Sequence, residues 1–127
     1  ATLPENVDRQ FSSAFQDTAD TTIGKEAEQN GAEHLGKSGF FLLGDGLDAF
    51  VARVVLAGVA ERSIDVQYYL YHNDLVGSLF GYSLLKAADR GVRVRILLDD
   101  MGLKGRDLSI ATFDSHPNIE IRIFNPF

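Results

Sequence analysis

Ala87-Ala88-Asp89-Arg90-Gly91-Val92-Arg93-Val94-Arg95-Ile96-Leu97-Leu98-Asp99-Asp100 holds the end of one element and the whole of the next. Upstream, Leu75, Leu79, Tyr82 and Leu85 to Ala88 recur at helical spacing, and Gly91 stands where a helix closes on a left-handed residue, so the spacing predicts a helix over Asp74 to Arg90. Downstream, Val92, Val94, Ile96 and Leu98 alternate with Arg93 and Arg95, the period-two signature of a strand. A helix that hands over to a strand through one glycine is half of a βαβ unit.

Working outward supplies the rest. Ile64, Val66, Tyr68 and Leu70 predict a strand before that helix, and Ile119, Ile121 and Ile123 predict another near the end of the sequence. Between the second and third strands, Asp107 to Ser115 reads as a shorter helix stopped near Pro117. Crossovers of this length join parallel strands, so the fold class expected is α/β, a parallel or mixed sheet with βαβ crossovers. The alternate strand positions are charged or polar: Asp65 and Gln67, Arg93 and Arg95, Glu120 and Arg122. That departs from a parallel sheet apolar on both faces. With the strands neighbours in chain order, a row of Asp65, Arg93 or Arg95, and Glu120 sets opposite charges side by side. Two readings of this face stand, a solvated outer surface and a surface covered by protein missing from this piece.

Toward the N-terminus, Leu47, Phe50, Val51, Val54 and Val55 predict a helix from about Gly46 to Ala60, capped by Asp45 or a neighbour. The apolar run Phe40 to Leu43 precedes it. We divide the chain into a polar N-terminal arm, residues 1–37, and a domain, residues 38–127. The arm carries sparse apolar residues and room for one short helix. Val7, Phe11 and Phe15 stand four apart, which gives either one narrow helical stripe for docking or a partly disordered leader.

Composition narrows the function. The formal charge is −6, with seven acids against three bases in residues 1–40, so the chain lacks the cationic footprint of nucleic-acid binding and no nucleic acid is expected. No apolar stretch reaches the roughly 18–20 residues of a membrane-spanning helix. The absence of cysteine removes disulfides, thiol catalysis and Cys-ligated zinc. Neither initiator Met nor signal peptide opens Ala1-Thr2-Leu3-Pro4, which leads us to expect a segment removed or left out upstream.

In a parallel sheet, chemistry gathers beyond the carboxyl ends of the strands. Those ends are Tyr68 to Asp74, Asp99 to Gly102, and Phe124 to Phe127. The candidate cleft residues are therefore Tyr69, Tyr71, His72, Asp99, Asp100 and Asn125. Asp99 and Asp100 have the chemistry of a metal ligand or an acid and base, but cap and turn roles explain them as well, and no metal or other cofactor is expected. His72 suits phosphate or proton transfer, or simply polar surface. Tyr69 and Tyr71 offer apolar rings with polar tips for an acyl chain or headgroup, whereas core packing explains Tyr68. His34 and His116 lack catalytic neighbours.

Gly46-Leu47-Asp48-Ala49-Phe50, Ile64-Asp65-Val66-Gln67-Tyr68-Tyr69, Ala87 to Arg95, Leu97 to Asp100 and His116 to Phe127 together resemble the phospholipase D superfamily, in particular bacterial cardiolipin synthase-like proteins. The resemblance covers roughly Ser38 to Phe127 and implies a partial phospholipase D-like half-domain, the incomplete first part of an N-terminal catalytic domain. It further implies phosphatidyl transfer between a phospholipid and an alcohol or second lipid, through two His-x-Lys-x4-Asp motifs that form and resolve a phosphohistidine. The partners implied are a phospholipid substrate, a peripheral membrane contact and the remainder of the same chain, with self-association of this piece. The address implied is the bacterial cell envelope, at the inner membrane or in the periplasm. Two residues after His34, His72 and His116 stand Gly36, Asp74 and Asn118 instead of Lys, so no catalytic residue carries over and this piece alone is expected to be inactive. Hydrolysis by a phospholipase D-type phosphodiesterase, and a noncatalytic envelope-associated domain, are the alternatives.

Overall fold

A computed structural model describes Asp8 and residues 10–126, apart from the side chain of Asp107. Val7 and Phe127, used in the reading above, lie outside the described residues.

Three strands form one parallel sheet in the order β1-β2-β3: β1 is Ser63–Tyr68, β2 Arg93–Asp99 and β3 Ile119–Phe124. Helix α3, Leu75–Asp89, crosses from β1 to β2, and α4, Asp107–Asp114, crosses from β2 to β3. Two helices precede the sheet, α1 at Thr22–Gly31 and α2 at Gly46–Val59. The predicted strand starting at Ile64 leaves the sheet before Leu70, because Tyr69 onward turns to cover the start of α3.

The helix ends show why these residues fold locally as they do. Asp45 Oδ1 accepts from the backbone N–H groups of Leu47 and Asp48 at 2.8 and 3.3 Å, which satisfies donors left open at the start of α2. Asp74 does the same for Gly77 of α3 at 2.8 Å. Gly91, with φ +93°, closes α3 as its N–H reaches Ala88 O and that of Val92 reaches Ala87 O. Arg90 then lends its guanidinium to a neighbouring helix, donating to the carbonyls of Ala57 and Ala60 at 2.9 and 3.2 Å at the end of α2.

Helices α3 and α4 and the end of α2 lie on one face of the sheet. Val66, Val94, Ile96, Ile119 and Ile121 point toward Phe80, Leu84, Ala87 and Ala88 of α3, Ile110 of α4, and Ala57 and Ala60 at the end of α2. Burial of this apolar set at roughly 25 cal/mol per Å² is the main favourable contribution to the fold. α2 turns only part of its apolar surface inward and leaves Leu47, Val51, Val55 and Leu56 exposed. The run Phe40 to Leu43 joins neither strand nor core: Phe40 is 95% exposed.

The opposite face is the charged row. Asp65, Arg95 and Glu120 are register partners across β1, β2 and β3. Arg95 binds Asp65 through both oxygens, Nε to Oδ1 at 2.7 Å and Nη2 to Oδ2 at 2.6 Å, and Arg122 Nε donates to Glu120 at 2.7 Å. Neither reading describes its amino-terminal part: the arm of this same chain crosses it. Residues 10–20 are not helical there, and Phe11 and Phe15 share no helical stripe. The carbonyls of Ser12, Ser13 and Asp17, which a helix would bond internally, are taken by Arg95, Arg93 and Arg62. The one helix among the described residues of the arm, α1, starts beyond this crossing. Thr21 caps it through Gly24 N–H at 3.0 Å, and Thr22 donates from its amide and its hydroxyl to Glu61.

Candidate functional site

The carboxyl ends of the three strands meet at one edge of the sheet. Strand β1 runs on into Tyr69 to Asn73, which folds back over the first turn of α3. The contact is close: a Cβ on Gly77 would stand 2.0 Å from the His72 carbonyl oxygen, so only glycine lets the loop lie there. Strand β2 ends in a turn in which Asp99 Oδ1 accepts from Met101 N–H at 2.9 Å and Gly102 takes φ +87°. The end of β3 is tied to the same turn, since Asp100 N–H donates to Phe124 O at 3.1 Å.

Tyr69 stays exposed and its hydroxyl donates to Met101 Sδ at 2.9 Å, joining the β1 and β2 ends. Tyr71, read from sequence together with Tyr69 as a cleft candidate, is turned inward. Its ring meets Tyr68 edge-on at 5.5 Å, its hydroxyl donates to Gly77 O at 2.5 Å, and its own carbonyl accepts from Arg106. Burial, with Tyr68 alongside, holds the Tyr71 phenol above its ordinary pKa, so it is a neutral donor at neutral pH. The inward turn follows from shape, because the small Gly77 and Gly81 leave room for a ring against α3.

The remaining candidates divide between rim and wall. His72 and Asn125 are exposed on the rim, and Asn125 holds the left-handed conformation, φ +54°, that its side chain tolerates better than most. Asp99 is a turn carboxylate, while Asp100 is only 7% exposed and belongs to the wall. The six residues thus share an edge without converging on one pocket. His72 borders a small cleft of about 140 Å³ with Phe50, Arg53 and Asp74, between the starts of α2 and α3.

A larger cavity, about 270 Å³, lies behind Tyr71 between α3, α4 and the sheet, walled by Leu84, Leu98, Leu103 and Phe113. Arg106, Asn73 and Ser109 supply its polar lining. The sequence reading passed over Arg106; its one signal was a cation following the two loop glycines, Gly102 and Gly105.

The three imidazoles occupy three separate places. His34 follows α1, His72 lies at the carboxyl edge, and His116 lies at the amino edge before β3. His116 has a structural task, since Nδ1 accepts from Asn118 N–H at 3.1 Å and Nε2 faces Asp89 Oδ1 at 3.3 Å. Among the described residues, no group of three His, Cys, Asp or Glu side chains is placed to hold a metal ion. Among them, too, no helix is long and apolar enough to cross a membrane.

No protein-family model matches the chain. The chain is similar to cardiolipin synthase C of Escherichia coli (strain K12), with 52% identity over 96 residues, 76% of this chain and 20% of that protein. It is also similar to a cardiolipin synthase of Oceanobacillus iheyensis, 35% identical over 65 residues, 51% of this chain and 14% of that one. The chain thus spans about a fifth or less of the length of these curated relatives. Among solved structures, TrmBL2, an archaeal chromatin protein described with a novel mode of DNA binding, superposes with a TM-score of 0.53 over 83% of this chain and 42% of that one. At 17% identity, that likeness concerns the fold alone.

Proposed function

This chain belongs to the cardiolipin synthase-like proteins of the phospholipase D superfamily, and from that premise we propose that it builds one wall of a phosphatidyl-transfer cleft in a longer enzyme. The observation that carries the reading is the 52% identity to a cardiolipin synthase over 96 residues, 76% of this chain. In that enzyme a histidine from a His-x-Lys-x4-Asp motif attacks the phosphodiester phosphorus. A phosphohistidine forms, the first alcohol leaves with a proton, and a second lipid alcohol then takes the phosphatidyl group. The lysines neutralise the non-bridging oxygens as charge builds.

The role of the present residues is positioning. Parallel strands held in register by a helix-packed face make a rigid edge, and a rigid edge keeps Tyr69, Asp99 and Asn125 fixed relative to groups contributed from elsewhere in the longer protein. Phospholipid and a peripheral membrane contact are the partners of that enzyme, and a cell-envelope address suits such a substrate.

The test is product analysis. The longer protein, given phosphatidylglycerol vesicles, is expected to form cardiolipin, and residues 1–127 alone are expected to form none. Tyr69→Ala in the longer protein is expected to lower cardiolipin formation roughly fivefold, about 1 kcal/mol of transition-state stabilisation, with stability unchanged within about 0.5 kcal/mol. Phosphatidate as the sole product would replace transfer by hydrolysis, and turnover by residues 1–127 alone would remove the positioning role.

A further inference from the structure

The crossing of the sheet by the arm has the chemistry of a recognition event. Three guanidiniums each hold one main-chain carbonyl of a non-helical segment: Arg95 Nη1 donates to Ser12 O at 2.9 Å, Arg93 Nη2 to Ser13 O at 2.7 Å and Arg62 Nη1 to Asp17 O at 2.7 Å. Between the second and third carbonyls the ring of Phe15 takes the face-on position for cations. It lies 3.8 Å from the guanidinium carbon of Arg93 and 5.1 Å from that of Arg62. Phe11, four residues earlier, is 90% exposed, whereas Phe15 is 36% exposed, so one aromatic of the two is engaged.

The receiving side is prearranged. Both oxygens of Asp65 hold Arg95 and aim its remaining Nη1 at the arm, where it also reaches Ser12 Oγ at 3.2 Å. Arg93 Nε is buried without a hydrogen-bond partner among the described residues, which makes its guanidinium the more dependent on the ring that covers it. Beyond Ser12, Gln67, Leu97 and Arg122 continue the same polar groove, about 300 Å³ in volume. Apart from Ser12 Oγ on Arg95 and the carboxylates of Asp17 and Asp20 on Arg62 at 3.2 and 3.9 Å, what residues 12–20 present to the three arginines is backbone and one ring. Backbone carbonyls and a ring belong to any non-helical peptide with a suitably placed aromatic residue.

We propose that the charged face of the sheet is a docking groove for one non-helical peptide segment bearing an aromatic side chain, and that residues 12–17 are its resident occupant, displaceable by another segment of the same chemistry. The resident occupant has the advantage of tethering, since it competes at an effective concentration of order mM. Weakening its ring contact opens the groove to a strand supplied from outside.

The experiment uses the whole 127-residue chain and a fluorescent peptide of residues 10–20. The peptide is expected to bind the Phe15→Ala chain at least tenfold tighter than the native chain. A peptide with Phe15 replaced by Ala is expected to bind neither. Arg93→Gln in the Phe15→Ala chain is expected to abolish binding. Hydrogen exchange supplies the second readout: Phe15→Ala speeds exchange at Ser12 to Asp17 and leaves Val94 to Leu98 protected. The proposal is overturned by equal binding to both chains, by no binding to the Phe15→Ala chain, or by indifference to the aromatic residue of the peptide. Loss of protection at Val94 to Leu98 also overturns it, because the arm would then be part of the core fold and not a displaceable strand.

Discussion

On one side of β2, Val94, Ile96 and Leu98 disappear beneath helices; on the other, Arg93 and Arg95 reach up to a single strap. The two sides are built from alternating residues of the same seven-residue strand. The helix side is held by area, a non-directional effect that tolerates small shifts provided the volume is filled. The strap side is held by direction, in hydrogen bonds and an ion pair that work only while donors and acceptors stay aligned. One strand therefore carries a stable face and an adjustable one.

The largest effect is expected on the helix side. Leu84 of α3 is 1% exposed, and Leu84→Ala is expected to cost about 3 kcal/mol by urea denaturation, from lost transfer free energy and the hole left behind. A loss under about 1 kcal/mol would mean that the helix–sheet core is not the dominant source of stability.

Next comes the joint between the core and the carboxyl edge. Gly77→Ala places a methyl group 2.0 Å from the His72 carbonyl and is expected to cost about 2 kcal/mol in thermal unfolding, while displacing the loop that carries Tyr71. Gly58→Ala, where added carbon meets open space in α2, is the control and is expected to be neutral or slightly stabilising.

The smallest effect is expected on the strap side. Asp65→Asn breaks a partly exposed pair and is expected to cost at most about 1 kcal/mol, less at high salt. Its pH dependence separates the faces. The hydrogen bonds from Arg95, together with its charge, hold the Asp65 carboxyl below its ordinary pKa. Its contribution is therefore complete above the unfolded-state value, near ~4, and fades as pH falls through the lower folded-state value. Asp17 shifts in the same direction, first through its hydrogen bond with Arg62. Denaturation of native and Asp65→Asn chains at pH 7 and in acid below about pH 3 is expected to show a difference that shrinks in acid. A difference independent of pH would place the role of Asp65 in shape instead of charge.

The two faces were also unequally legible in the sequence. Val94, Ile96 and Leu98 declare a strand by their period, Gly91 and Asp45 declare helix ends by their chemistry, and the Asp65–Arg95–Glu120 row follows once the strands are taken in chain order. The strap leaves no comparable trace, because Arg93 and Arg95 grip carbonyl oxygens that every residue possesses. Phe15 and Phe11 look alike in sequence and differ only in what lies beneath them. At the edge, the strand ends identified loops that share one side of the sheet, but the inward turn of Tyr71 depended on the space above Gly77 and Gly81, a three-dimensional property. Phe40 to Leu43 differs in the opposite sense: its apolar character gives no sign that the described fold leaves the run exposed.

Ser12 and Arg95 lie 83 positions apart, which gives their contact a timetable as well as a geometry. A ribosome adding about 5–20 residues per second makes the arginine roughly 4–17 seconds after the serine. The strap therefore emerges first and waits through most of this synthesis, with Phe15 uncovered, until β2 appears and can pair with its neighbours. In each round of translation the visitor is made before its host.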